Sequence, residues 1–151
     1  MNIRFTTDNL NSHKFPVTSE IALNLIDLAD KANQFYDGYQ YDIPITSGLR
    51  DSTLQMKVNP LAPNSNHLTG KALDAGELLD YPNRLLEYVL SNLDLAMTLG
   101  LFFENPNFTP TWIHLQTVSP KSGHRIFIPN PGPALCSRWS GVYDRKYDIV
   151  V

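Results

Sequence analysis

His67 opens the string His67-Leu68-Thr69-Gly70-Lys71-Ala72-Leu73-Asp74, which sets an imidazole on a loop and a carboxylate in a short apolar run. Gly70 lets the chain turn sharply between them. Asp74 lies next to Leu73 and Ala75. An unpaired carboxylate buried there is costly, and a metal ion or a strong donor removes that cost. His114 poses the same question in Trp112-Ile113-His114-Leu115, because strand alternation turns it to the face opposite Ile113 and Leu115. Two readings are open. In one, the histidines are hydrogen-bonded core residues and Asp74 is a cap or turn residue. In the other, His67, Asp74 and His114 hold a metal together. Two imidazoles and a carboxylate suit zinc, and three protein ligands leave a fourth position for water.

Short elements must position these groups. Residues 1 to 17 read as an extended lead-in ending in Phe15-Pro16. Thr18 or Ser19 caps a helix with Glu20 in its first turn, and Ile21, Leu25, Leu28 and Ala32 give it one apolar face up to Gly38. Ile43 to Thr46 is β-like around Pro44 and is broken by Ser47-Gly48. Residues 52 to 58 form a short helix closed by Asn59-Pro60, and Leu61 to Ser65 is loop. Lys71 to Ala75 is a short strand. Asp80 and Pro82 start a second long helix that buries Leu86, Val89, Leu90 and Leu93. Met97 to Phe103, Trp112 to Thr117 and Arg125 to Ile128 read as strands. This order predicts an α+β domain, with a small, mainly antiparallel sheet and flanking helices over residues 1–128. A Pro-rich tail, 129–151, follows it.

The string Ser65-Asn66-His67-Leu68-Thr69-Gly70-Lys71-Ala72-Leu73-Asp74 resembles the Ser-x-His-x-x-Gly-x-Ala-x-Asp pattern of a zinc peptidase family. That family contains D-alanyl-D-alanine carboxypeptidases, vancomycin-resistance D,D-dipeptidases and phage L-alanyl-D-glutamate endolysins, and hedgehog signalling domains share its fold. Ile45-Thr46-Ser47-Gly48-Leu49-Arg50 resembles the family's "TSGYR" segment, and Trp112-Ile113-His114 its "WVH" strand. The segments occur in the family's order, and the resemblance spans residues 18 to 128. It implies a hedgehog-like fold and Zn2+ held by His67, Asp74 and His114. It also implies hydrolysis of a cell-wall peptide bond, either D-Ala-D-Ala or L-Ala-D-Glu, in a peptidoglycan stem peptide.

The resemblance makes Arg50 the family arginine near the substrate, where a guanidinium binds a carboxylate or stabilises the oxyanion. Without it, a loop-anchoring salt bridge explains Arg50 equally well. Ser65 orders the ligand loop in the substrate-binding region, or is simply a turn residue. Many relatives carry an acid three residues before the last histidine, but here Thr111 stands there. Another branch takes its acid from the preceding strand. Glu104 in Leu101-Phe102-Phe103-Glu104 fits that pattern as general base, against the plainer reading of a strand-end surface carboxylate. Glu77 and Asp80 are fallback candidates, and Gln116 stands where relatives often carry an acid.

Composition narrows the classes. The 151-residue chain is 42% hydrophobic with a formal charge of -3, which disfavours nucleic-acid binding by bulk electrostatics. No apolar run approaches the roughly 20 residues of a membrane span. The first residues, MNIRFTTDNLNSHKF, lack the basic start and apolar core of a signal peptide. This suits the setting that the resemblance implies, a phage protein in the host cytoplasm or in the virion that acts on the bacterial wall. Cys136 is the single cysteine, so no internal disulfide forms, and a His124–Cys136 protease pair has no support. Phosphate-cradling glycine loops and the Gly-x-Ser-x-Gly elbow are absent. The competing function is a virion or assembly component that keeps the fold with weak or lost activity. Thr111, the acidic balance and a Pro-rich tail whose Trp139 and Tyr143 suit docking on virion proteins favour it. A hedgehog-type metal-dependent binding module is a third, weaker reading.

Overall fold

A computed structural model describes residues 1–76, 83–109 and 111–129. The longest helix among the described residues, α2 (Ser19–Phe35), begins where the sequence predicts. Thr18 accepts a hydrogen bond from the Ile21 N–H at 3.2 Å, and Glu20 sits in the favourable first turn. Leu25, Leu28, Ala32 and Phe35 form its buried stripe. Each fully buried leucine there contributes about 1.5–3 kcal/mol of transfer free energy.

The stripe shares one apolar cluster with Leu73, Ala75, Phe103, Ile113 and Leu115 from the sheet. Among the described residues the sheet has five strands: β1 (Ile45–Ser47), β2 (Ala72–Ala75), β3 (Phe102–Glu104), β4 (Ile113–Gln116) and β5 (Ile126–Phe127). Their spatial order is β1-β2-β4-β3-β5. Three pairings are antiparallel, but β3 and β5 run parallel, so the sheet is mixed rather than wholly antiparallel. The central register sets Asp74 opposite His114, Leu73 opposite Leu115 and Ala72 opposite Gln116. Side chains alternate across a strand, so the apolar set faces α2 and the polar set shares the other face.

Three expectations need correction. Residues 1–17 are not simply extended: Thr7–Leu10 is a helix, α1, closed at its start by a capping box between Thr6 and Asn9. Phe5 and Leu10 are fully buried. The Asn33 amide clamps the chain just before α1, accepting from the Arg4 and Phe5 N–H groups and donating to the Phe5 carbonyl. Second, Met97–Phe103 is not one strand. Leu93–Leu99 is a helix, α5, that ends at Gly100 in the left-handed conformation (φ 70°), and β3 holds only Phe102–Glu104. An apolar run of this length fits either element, and a left-handed glycine is a common way to end a helix. Third, the first strand begins at Ile45 and includes Ser47.

The short helix α3 (Ser52–Val58) matches its expected span and is capped by Asp51. Helix α4 is described over Asn83–Ser91, and the expected start at Asp80-Pro82 lies outside the described residues. Leu86 and Val89 are buried as expected, whereas Leu90 and Leu93 are half-buried. The tail beyond 129, with Cys136, Trp139 and Tyr143, also lies outside the described residues. Among the described residues, no helix is long and apolar enough to cross a membrane.

Candidate metal centre

The polar face of β2 and β4 meets the turn that precedes β2. Residues Asn66–Thr69 form a single 3-10 turn whose Ser65 side chain accepts from the His67 N–H at 3.3 Å. Gly70 ends the turn at φ 72°, and a Cβ there would press on Leu25 at 3.0 Å. Glycine therefore answers both a backbone and a packing requirement. The His67 carbonyl accepts from the Arg50 N–H, tying the turn to the segment after β1. The result is one buried group: an atom each from His67, Asp74 and His114 lie within 4.8 Å of one another.

Hydrogen bonds identify those atoms. His67 Nδ1 is 2.8 Å from the Gly48 carbonyl, which only accepts, so Nδ1 carries the proton and Nε2 presents its lone pair. That Nε2 is 3.3 Å from Asp74 Oδ1. His114 Nε2 is 2.9 Å from Gln116 Oε1. The Gln116 amide is oriented by donating from Nε2 to the Val118 carbonyl at 2.7 Å and by accepting from Asn66 at 3.2 Å. Nε2 of His114 is therefore a donor, and Nδ1 faces Asp74 Oδ1 at 2.8 Å. Each imidazole thus turns one nitrogen inward and anchors the other on a fixed oxygen. Metal-binding histidines are oriented in this way. The donor set fits a small divalent cation such as zinc.

The charges are balanced. Burial alone would raise Asp74, but the imidazoles of His67 and His114 hold its carboxyl well below the usual range. Burial works against a charged His114, yet its hydrogen bond to Asp74, the Asp74 charge and the Glu104 charge push it up to about 9. Burial dominates at His67 and lowers it, so that ring is neutral at pH 7. Arg50 supplies the other positive charge. Its Nη2 donates to Asp74 Oδ2 at 2.9 Å, its Nε to Ser47 Oγ at 2.9 Å and its Nη1 to Gln55 Oε1 at 2.9 Å. A carboxylate with this many donors is no longer an unpaired buried charge.

Of the residues singled out in the sequence, His67, Asp74, His114 and Arg50 come together, and Ser65 caps the turn that carries His67. Glu104 ends β3, half-buried, beside β4. Extending the β3–β4 register by one residue from Phe103 and Leu115 brings Glu104 level with His114. Thr111 is exposed before β4, and Glu77 and Asp80 lie outside the described residues. Gln116 acquires a definite part, as the acceptor for His114. The strand period carries that signal, since residues two apart share a face. Gln55, buried on α3, carries no mark of its burial in the sequence, because a glutamine in a short helix is ordinarily a surface residue. A cavity of about 400 Å³ borders β1 at Ser47 and Gly48, but none of the three candidate ligands lines it. Comparison of the chain with protein-family models, curated proteins and solved structures finds no match.

Proposed function

We propose that the protein is a zinc-dependent peptidase of the bacterial cell wall with a hedgehog-like fold, cleaving a D-Ala-D-Ala or L-Ala-D-Glu bond in a stem peptide. One observation carries this reading. Three buried candidate ligands converge, and both histidines have their outward nitrogens fixed by Gly48 and Gln116. Zinc bound there would supply Lewis acidity and lower the pKa of water towards neutrality. Asp74 keeps its negative charge in that site because Arg50 and the imidazoles face it. Glu104 takes the proton from the attacking water and returns it to the leaving amine. Arg50 adds a fixed positive charge behind Asp74 and, as the resemblance implies, supports the developing oxyanion or a substrate carboxylate.

The assembly reading rests on Thr111 and the acidic balance of the chain. One experiment separates the two. Protein purified without chelator is assayed for zinc, then incubated with purified peptidoglycan and with D-Ala-D-Ala. About one zinc per chain with peptide release supports the peptidase, and the new termini name the bond. Zinc without hydrolysis favours the assembly role, and no zinc defeats the ligand set.

A further inference from the structure

Behind Asp74 lies a chain of buried hydrogen bonds that ends on backbone. Gln55 is 1% exposed. Its Nε2 donates to the Asn59 carbonyl at 3.2 Å and to the Ala62 carbonyl at 2.9 Å, and its Oε1 accepts from Arg50 Nη1 at 2.9 Å. Reversing the amide would set its donors against a guanidinium and its oxygen against two carbonyls, so only one orientation is satisfied. The guanidinium is planar, and fixing Nη1 on Gln55 and Nε on Ser47 fixes where Nη2 points. It points at Asp74 Oδ2, while Oδ1 of the same carboxylate faces His67 Nε2 and His114 Nδ1.

We infer that Gln55 is a positioning residue of the metal centre: acting through Arg50, it holds Asp74 to one-oxygen ligation, with Oδ1 for the metal and Oδ2 for the guanidinium. This inference rests on the metal-site reading. A carboxylate whose second oxygen is free can rotate out of the site or close on the metal through both oxygens. The anchor lies on α3 and the loop after it, outside the three ligand-bearing segments. The geometry of the centre therefore depends on how α3 is seated.

The test uses the whole chain, zinc and cobalt(II). Metal stoichiometry, chelator-competition affinity and the cobalt absorption spectrum are measured for the wild type, Gln55→Met, Arg50→Lys and the double variant. A wild type that takes up no metal defeats the metal-site reading itself, whatever the variants do. With metal bound to the wild type, Gln55→Met is expected to keep the stoichiometry. Its affinity should fall about 10–100-fold, as for lost outer partners of metal ligands, with displaced cobalt bands. The double variant should bind about as weakly as the weaker single variant, because both changes break one chain. Unchanged affinity and spectrum in Gln55→Met overturn the inference, and so do fully additive losses. If Gln55→Met does not fold, Arg50→Lys carries the test, since Gln55 keeps its bonds to Asn59 and Ala62. Wild-type affinity and cobalt bands in that variant overturn the inference, and weaker binding with displaced bands supports it.

Discussion

Strands β2 and β4 carry two different kinds of order on their two faces. On one face Leu73, Ala75, Ile113 and Leu115 join the α2 stripe in a single apolar cluster. On the other, Asp74, His114 and Gln116 are buried among polar partners. The first face is held by area and volume, which are non-directional. The second is held by donors and acceptors that must each find one partner at one angle. A missing methylene on the apolar face weakens the fold by a graded amount. A missing partner on the polar face leaves a buried charge uncompensated, at about 3–5 kcal/mol. Residues on the two faces alternate one by one along the same strands, so the comparison can be broken by substitutions a single position apart.

The largest effect is expected from Asp74→Ala. It removes the central candidate ligand and takes from Arg50 and His114 the carboxylate that both face, and without it burial works against a charged His114. Zinc assay and peptide release should both fall to background, and retention of bound zinc would sink the metal site. Next comes Glu104→Gln, which keeps the ligands. Turnover should drop about 10²–10⁴-fold, the range for a lost general base, with zinc content unchanged. Full activity in that variant would move the base elsewhere. On the apolar face, one residue from His114, Leu115→Ala should cost about 2–5 kcal/mol in denaturant unfolding. It should still bind zinc. If it lost zinc at full occupancy of the folded state, the two faces would not be separable in the way the alternation suggests.

The polar face should also respond to pH, with opposite signs for folding and for metal. His114 is raised in the folded protein to about 9 from an ordinary 6.5. Its contribution to the metal-free fold is full below 6.5 and is lost as pH rises through about 9. Asp74 is lowered below its ordinary value of 3.8, so its contribution is present above that value and is lost in strong acid. Zinc bound at His114 Nδ1 would displace the proton there. Affinity should therefore fall about tenfold for each pH unit of acidification below the folded pKa. Calorimetry in buffers of different ionisation enthalpy should detect about one proton released per zinc at neutral pH. Pairs of titrations with no proton release would mean that His114 is neutral in the metal-free protein.

The residues of the candidate site stand out locally, but it is the family resemblance that groups them as one ligand set. A carboxylate between Leu73 and Ala75, and an imidazole between Ile113 and Leu115, fall on the strand face opposite those apolar neighbours and need polar partners there. Helices α2 and α3 were readable from their stripe and caps. What stayed hidden depends on partners distant in sequence. The lead-in looked featureless because Asn33, the residue that clamps Phe5, lies 28 positions away. The parallel pairing of β3 with β5 joins segments that no local pattern connects. The helix over Leu93–Leu99 and a buried strand share the same apolar residues, and only the conformation of Gly100 separates them. Gln55 shows the same limit at the site, since its role depends on Arg50, Asn59 and Ala62 closing around it.

Ser65→Ala gives the smallest expected effect and the finest probe of the boundary between the two kinds of order. Ser65 touches none of the candidate ligand atoms; it accepts from the His67 backbone N–H and so sets the start of the 3-10 turn. Loss of a side-chain cap costs about 0.5–2 kcal/mol. The bond is long at 3.3 Å, so the lower end of that range is expected. The turn is held independently at its far end, where the Lys71 N–H donates to the Asn66 carbonyl and the Arg50 N–H to the His67 carbonyl. His67 should therefore stay aimed at the site. Zinc stoichiometry should be unchanged and the affinity lowered only a few-fold, with a modest fall in the unfolding midpoint. A loss of zinc affinity as large as that of a ligand variant would mean that the turn, and not the sheet register, is what holds the centre together.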